Sequence, residues 1–359
     1  MTAIRPRDLL TDSLLDRLGG TDGQTASEPA VLRHDIAELA AAGYLDVALP
    51  PEFGGLGCTL RQAACGQRRL ARRAPRTALA VSAHLYWTGA AADACRAGDD
   101  SVRWIVQEAA RGALFAAGHA GDAGEAGGDL RFADPSSRCE PARDSGYRFA
   151  DPGVLATMTP AWDWIAVHGV HHAARAHSVI AFAGHGSRRA PAFRVARSET
   201  AGRPADVFMT SALTWGHSIL ASVQYSDTRR AFDAALTAYA EEAATALFAA
   251  EAAADEGPPA ADGPGPSAAA RLSSLGGTAR PAGRWPVAEA GALLDAMKAR
   301  IAEVTHPWQL VPEQAPDLGG QHLIGLYAMR HEIGQSAARV HQVITQLTGT
   351  PAPARPLVQ

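Results

Sequence analysis

Three histidines within five positions, His168, His171 and His172, form an HxxHH cluster, the side-chain type that most often binds a transition metal. The surrounding apolar run reads as a strand, and strand alternation sends His168 and His172 to one face with no acidic or cysteine ligand nearby. We assign no metal site there. His217 stands apart, two residues after Trp215 in a helical stretch. Its imidazole can act as acid or base near neutral pH, although a lone histidine beside a tryptophan also reads as a satisfied interface residue. Cys58, Cys65, Cys95 and Cys139 lack the close paired spacing of a zinc site and are too few for a disulfide scaffold, so they read as reduced structural thiols.

The elements that must position these groups fall into three stretches. Residues 1–112 carry apolar side chains at helical spacing over 9–18, 31–42, 60–71, 78–97 and 102–110, and read as an α-helical domain. Between 113 and 207 the apolar runs shorten and are separated by Gly, Asp and Pro, the pattern of a small β-domain. Helical periodicity returns over 208–252, 286–304 and 321–347, long amphipathic segments suited to a bundle that occupies 208–359. Residues 255–283, rich in Pro, Gly, Ala and Ser, read as a flexible linker inside that bundle. The predicted class is α+β, mostly α.

Composition narrows the partners. The chain has 359 residues, a formal charge of −4 and a single lysine, Lys298. Without a cluster of basic residues it lacks the electrostatics of nucleic-acid or anionic-membrane binding. No leader or membrane span is evident, and the expected location is the cytoplasm.

One turn is more specific than the rest. Between two helices, Pro50-Pro51-Glu52-Phe53-Gly54-Gly55-Leu56-Gly57 places prolines where an amide is not needed and glycines where left-handed dihedrals are wanted. This wording resembles the N-terminal domain of acyl-CoA dehydrogenases, and Tyr327-Ala328-Met329-Arg330-His331-Glu332-Ile333-Gly334 is similar to that family's last bundle helix. The resemblance implies an N-terminal helical domain, a small middle β-barrel and a C-terminal four-helix bundle, with FAD between barrel and bundle, in a dimer or tetramer.

It also implies site residues. The family's flavin-contacting loop after the first barrel strand corresponds to residues 122–130, which keep Gly127-Gly128-Asp129 but not its hydroxyl residues. Thr157, Thr159 and Trp162 fall where the family's flavin-edge strand lies. The barrel, however, is shortened: the chain runs from residue 195 almost directly into helix. The helix frame that carries a pyrophosphate-binding Arg in the family reads Tyr239-Ala240-Glu241-Glu242-Ala243 here. The usual glutamate base is missing too, and its alternative position falls near Gly216 and His217.

Three functions follow from that pattern. The first is an acyl-CoA dehydrogenase-like, FAD-dependent oxidoreductase acting on an acyl thioester or related substrate. The second is a flavin monooxygenase of the same fold, which binds reduced flavin, needs no such glutamate and gives His217 a role as acid, base or flavin ligand. The third is a non-catalytic member with a binding role.

Overall fold

The computed structural model describes residues 5–19, 28–120, 139–141, 147–149, 154–156, 161–172, 176–184, 193–198, 207–255, 284–309 and 320–349. The N-terminal part is helical: α1 (Pro6–Leu9), α2 (Asp12–Gly19), α3 (Glu28–Ala41), α4 (Leu60–Arg73), α5 (Pro75–Arg96) and α6 (Arg103–Ala109). The single helix expected over 9–18 is split, because Thr11 accepts a bond from the Leu14 amide and starts α2 afresh. Thr59 and Gln62 form a capping box that fixes the start of α4.

The PPEFGGLG turn bends the chain back on itself. Pro51–Phe53 makes one 3₁₀ turn, Gly54 follows at φ 85°, and the Gly57 amide returns to the Leu49 carbonyl at 2.8 Å. A Cβ on Gly55 would lie 2.1 Å from that same carbonyl oxygen, so the close approach admits glycine only. Gly54 has open space and is constrained by its dihedral alone. Gly54→Ala is therefore expected to cost about 1 kcal/mol, read as a shifted urea midpoint at unchanged slope.

The β part consists of β1 (Phe115–Ala120), β2 (Cys139–Pro141), β3 (Tyr147–Phe149), β4 (Val154–Ala156), β5 (Trp164–His172), β6 (Ala176–Gly184) and β7 (Phe193–Ser198). Strand order is β4-β1-β5-β6-β7, with β1 and β5 parallel and the other pairs antiparallel; β2 and β3 form a separate hairpin-like pair. The Leu114 amide donates to Asp163 at 2.8 Å, while the Asp163 and Trp164 amides donate to the Leu114 carbonyl, which sets the β1–β5 register. Among the described residues the larger sheet ends at β4 and β7, consistent with a shortened barrel. The strand β2 was not legible in the sequence.

Three further helices follow: α7 (Val207–Asp255), α8 (Arg284–Thr305) and α9 (Gly320–Thr348), with a 3₁₀ turn at Pro307–Gln309. The 49 residues of α7 make a rod about 70 Å long. Its first part joins a core with α4, α5 and the sheet, and its middle joins a second core with α8 and α9. Where helix, sheet and α7 meet, five aromatic residues interlock. Phe182 takes edge contacts from Trp87 at 5.0 Å, Trp104 at 5.4 Å and Phe115 at 5.7 Å, and Trp87 stacks on Phe208 at 5.9 Å. Each such pair contributes about 0.5–1.5 kcal/mol beyond its buried area, so the nest holds the start of α7 firmly to α5 and the sheet.

No described helix is long and apolar enough to cross a membrane.

Candidate functional site: a polar seam on α7

An amphipathic bundle helix should bury apolar side chains, yet α7 buries Thr210, Ser211, Thr214, His217, Ser218, Ser222 and Gln224 within its first eighteen residues. Buried polar groups persist only where partners hold them. On this helix the partners come from α4, where Arg68 donates to Ser222 at 3.4 Å, and from α5 and α9.

Toward α5 the partner is a carboxylate. Asp93 Oδ2 accepts the Trp215 indole N–H at 2.7 Å and the Trp308 indole N–H at 2.9 Å, while Oδ1 accepts from Arg96. Burial raises the Asp93 pKa, opposed by Arg96, Trp308, Trp215 and Ser211. The Trp215 ring lies flat against Gly89, where a Cβ would come within 2.4 Å of the indole. One carboxylate therefore ties α5, α7 and the turn after α8 together, and its oxygens are too fully engaged to serve as a base.

Toward α9 the contacts advance in the same direction along both helices. Thr214 meets His322 at 2.9 Å, the His217 ring meets the edge of Tyr327 at 5.2 Å, and Gln224 accepts from Arg330. His217 is 4 % exposed. Burial, with the positive charge of Arg330 as the lesser cause, holds its pKa down to about 3. The ring is neutral at physiological pH, so it offers one N–H and one lone pair for hydrogen bonding and carries no proton to give as an imidazolium. The Ser218 hydroxyl, fully buried one residue later, meets no partner among the described residues.

The other buried histidine, His84, has a structural job. Nδ1 of His84 accepts the Phe115 amide at 3.3 Å, so Nε2 carries the proton donated to the Leu45 carbonyl at 3.1 Å. It joins α5 to β1 and to the turn after α3. Cys58 is buried and its thiol is pushed up to about 11, which keeps it protonated and unreactive.

Of the residues singled out in the sequence, His217 lies in this seam and Trp162 lies just before β5, half-buried against the main core. Gly127, Gly128, Asp129, Thr157 and Thr159 lie outside the described residues. The HxxHH cluster falls within β5. No group of three potential metal ligands occurs among the described residues. Sequence reasoning missed Asp93, Trp308 and His322. For Asp93 the available signal was an acid placed inside the alanine run Gly89–Cys95, with an arginine three residues on; Trp308 and His322 offered none, since their contacts span long stretches of chain.

Neither a protein-family model nor a curated protein sequence matches this chain. Solved structures do match, over nearly its whole length. A nitrososynthase from Micromonospora carbonacea var. africana superposes with a TM-score of 0.66 at 18% identity, covering 96% of this chain and 85% of that one. Dibenzothiophene monooxygenase from Paenibacillus sp. A11-2 gives 0.60 at 14% identity, covering 97% and 88%. Butyryl-CoA dehydrogenase from Megasphaera elsdenii gives 0.61 at 13%, covering 97% and 87%. The chain therefore has the acyl-CoA dehydrogenase fold: mostly α, with a small β unit between two helical ones.

Proposed function

We propose that this chain is a flavin-dependent oxidoreductase acting on a small molecule, and that it uses reduced flavin and oxygen rather than dehydrogenating an acyl thioester. The observation that carries this reading is the polar seam. The start of α7 carries a neutral, buried imidazole, several hydroxyls and, without a partner among the described residues, Ser218, an excess of polar groups that supports a polar ligand at this end of the bundle. Removing an α-proton from an acyl thioester calls for a carboxylate at the reacting carbon. The position where some relatives carry it holds Gly216 and His217, and the seam's buried carboxylate, Asp93, is saturated with donors. Similar structures support the same choice: one holds FMN and a dTDP-amino sugar, and others are a nitrososynthase and a monooxygenase.

A bound flavin would supply two-electron chemistry, taking a hydride or, once reduced, passing electrons to oxygen. The residues that would hold it are Trp162, Thr157 and Thr159, and the Gly127-Gly128-Asp129 loop. Either FMN or FAD fits this reading. Acyl-CoA dehydrogenation remains the second reading, supported by the PPEFGGLG turn and the butyryl-CoA dehydrogenase match. Trp285 is 84 % exposed and Ile324 69 % exposed, which supports a homo-oligomer.

The test is an absorption and fluorescence titration of the purified chain with FMN and FAD, each oxidised and chemically reduced, on a sample whose mass is read by light scattering. Tighter binding of the reduced form, with oxygen uptake dependent on an added flavin reductase, is expected. Tight binding of oxidised FAD with turnover of acyl-CoA would select the second reading. No flavin binding in any form would overturn both, and a monomeric mass would overturn the oligomer.

A further inference from the structure

His217 is the histidine the sequence points to, but its neighbour across the seam is better placed to exchange a proton. Thr214 fixes that neighbour's state. Its hydroxyl donates to the Thr210 carbonyl at 2.7 Å, so its one proton is committed. The 2.9 Å contact with Nε2 of His322 is then a bond that His322 donates. A neutral His322 therefore carries its proton on Nε2 and its lone pair on Nδ1. Among the described residues no hydrogen bond engages Nδ1, and the side chain is half-buried.

The ring is also held in plane. Trp308 stacks on it with centroids 5.2 Å apart and planes 23° from parallel. The Trp308 indole is anchored in turn to Asp93, itself paired with Arg96. An imidazole whose tautomer is set by one partner and whose plane is set by another has the arrangement of an oriented general base.

The geometry points to His322 as the proton-accepting group of the α7–α9 seam, taking a proton at Nδ1 from an O–H or N–H of the bound small molecule, with Thr214, Trp308 and Asp93 as its positioning residues. The inference rests on the flavin-dependent reading for the identity of the reaction. In the step, the X–H bond of the ligand breaks, its electron pair stays on the heteroatom, and the new N–H bond forms at Nδ1. The resulting imidazolium keeps its Nε2–H on Thr214. Half-burial lowers the pKa of His322, which keeps Nδ1 free to accept at neutral pH. The other titratable or charged groups facing the seam among the described residues include Asp93 with Arg96 on α5, Arg68 on α4, His217 on α7, Tyr327 and Arg330 on α9, and Arg61 with His306 beside the Trp308 turn. Of the two seam imidazoles, His322 is the one open to a ligand, since His217 is 4 % exposed.

Two measurements test it. The first needs no flavin: ¹⁵N-histidine NMR of the full chain across pH, with His322→Gln for assignment. His322 should titrate below 6.5 as the Nε2–H tautomer, and its midpoint should move back toward 6.5 in Trp308→Phe, which keeps a ring but removes the N–H, and in Asp93→Asn. The second is steady-state turnover with reduced flavin. His322→Gln should lower kcat by about 100-fold at unchanged flavin affinity, and Trp308→Phe should shift the acid limb of the kcat profile with its NMR midpoint. A His322 midpoint indifferent to both positioning variants, or a His322→Gln enzyme within about threefold of wild type in kcat, would overturn the proposal. Failure of the wild type to bind any flavin would instead overturn the functional reading, and the NMR titration would still decide whether Asp93 and Trp308 hold the ring.

Discussion

Asp93→Ala is expected to destabilise the protein by about 2–6 kcal/mol, measured by urea unfolding at neutral pH. The substitution orphans two indole N–H groups at once, Trp215 and Trp308, each of which donates to Oδ2. An unsatisfied buried donor costs about 1–3 kcal/mol. Removing a desolvated charge returns some of that loss, because burial already opposes the ionised carboxyl. Arg96 is half-exposed and loses little. Asp93→Asn separates the contributions: its amide oxygen can still accept both indoles, so more than half of the stability should be retained. Trp215→Phe and Asp93→Ala should be strongly non-additive, since each deletes the same bond. An Asp93→Ala protein within about 0.5 kcal/mol of wild type would show that the node is not an anchor.

The node also marks where sequence reasoning stopped. The helices of α4, α5 and α9 were legible because their apolar spacing and caps are local. So were most strands between β1 and β7, from short apolar runs bounded by turn residues. The PPEFGGLG turn was legible in more detail still, since Gly54 and Gly55 are there for a dihedral and a close approach that no other residue meets. The seam was different. Asp93 and Trp308 are 215 positions apart, and Thr214 and His322 are 108 apart. No spacing rule connects such residues, and the ranking of histidines by neighbours in sequence chose His217 while leaving His322 unremarked. Local context could show that a histidine near Trp215 was unusual. It could not show that a second imidazole would be fixed across the same helix by a carboxylate from α5.

Acidification offers the last test, because buried neutral histidines write their burial into the pH dependence of stability. An unfolded histidine titrates near 6.5, whereas His84 is held down to about 4 and His217 to about 3. For His84 the leading cause is desolvation, opposed by its bond to Leu45 and the charge of Asp163; for His217 Arg330 adds to desolvation. As pH falls below 6.5 the unfolded chain binds protons that the folded chain refuses, so folding stability must fall. The loss runs from pH 6.5 down to about 4 for His84 and about 3 for His217. Each group contributes about 1.4 kcal/mol per pH unit in that window, which gives about 4 kcal/mol for the pair between pH 7.5 and 5. His322 and His341, also lowered by burial, act in the same direction. Asp93 acts in the opposite one: its raised pKa means that the folded state holds its proton more tightly, so its contribution improves as pH falls through that value. His217→Phe should remove one of the two main proton uptakes and reduce the slope between pH 6.5 and 5 by about half, read from urea midpoints across a pH series. A flat profile in the wild type would mean that the imidazoles accept protons within the fold. His217 would then be able to act as an acid near neutral pH, and the preference for His322 in proton transfer would rest on the burial of His217, at 4 % exposure, alone.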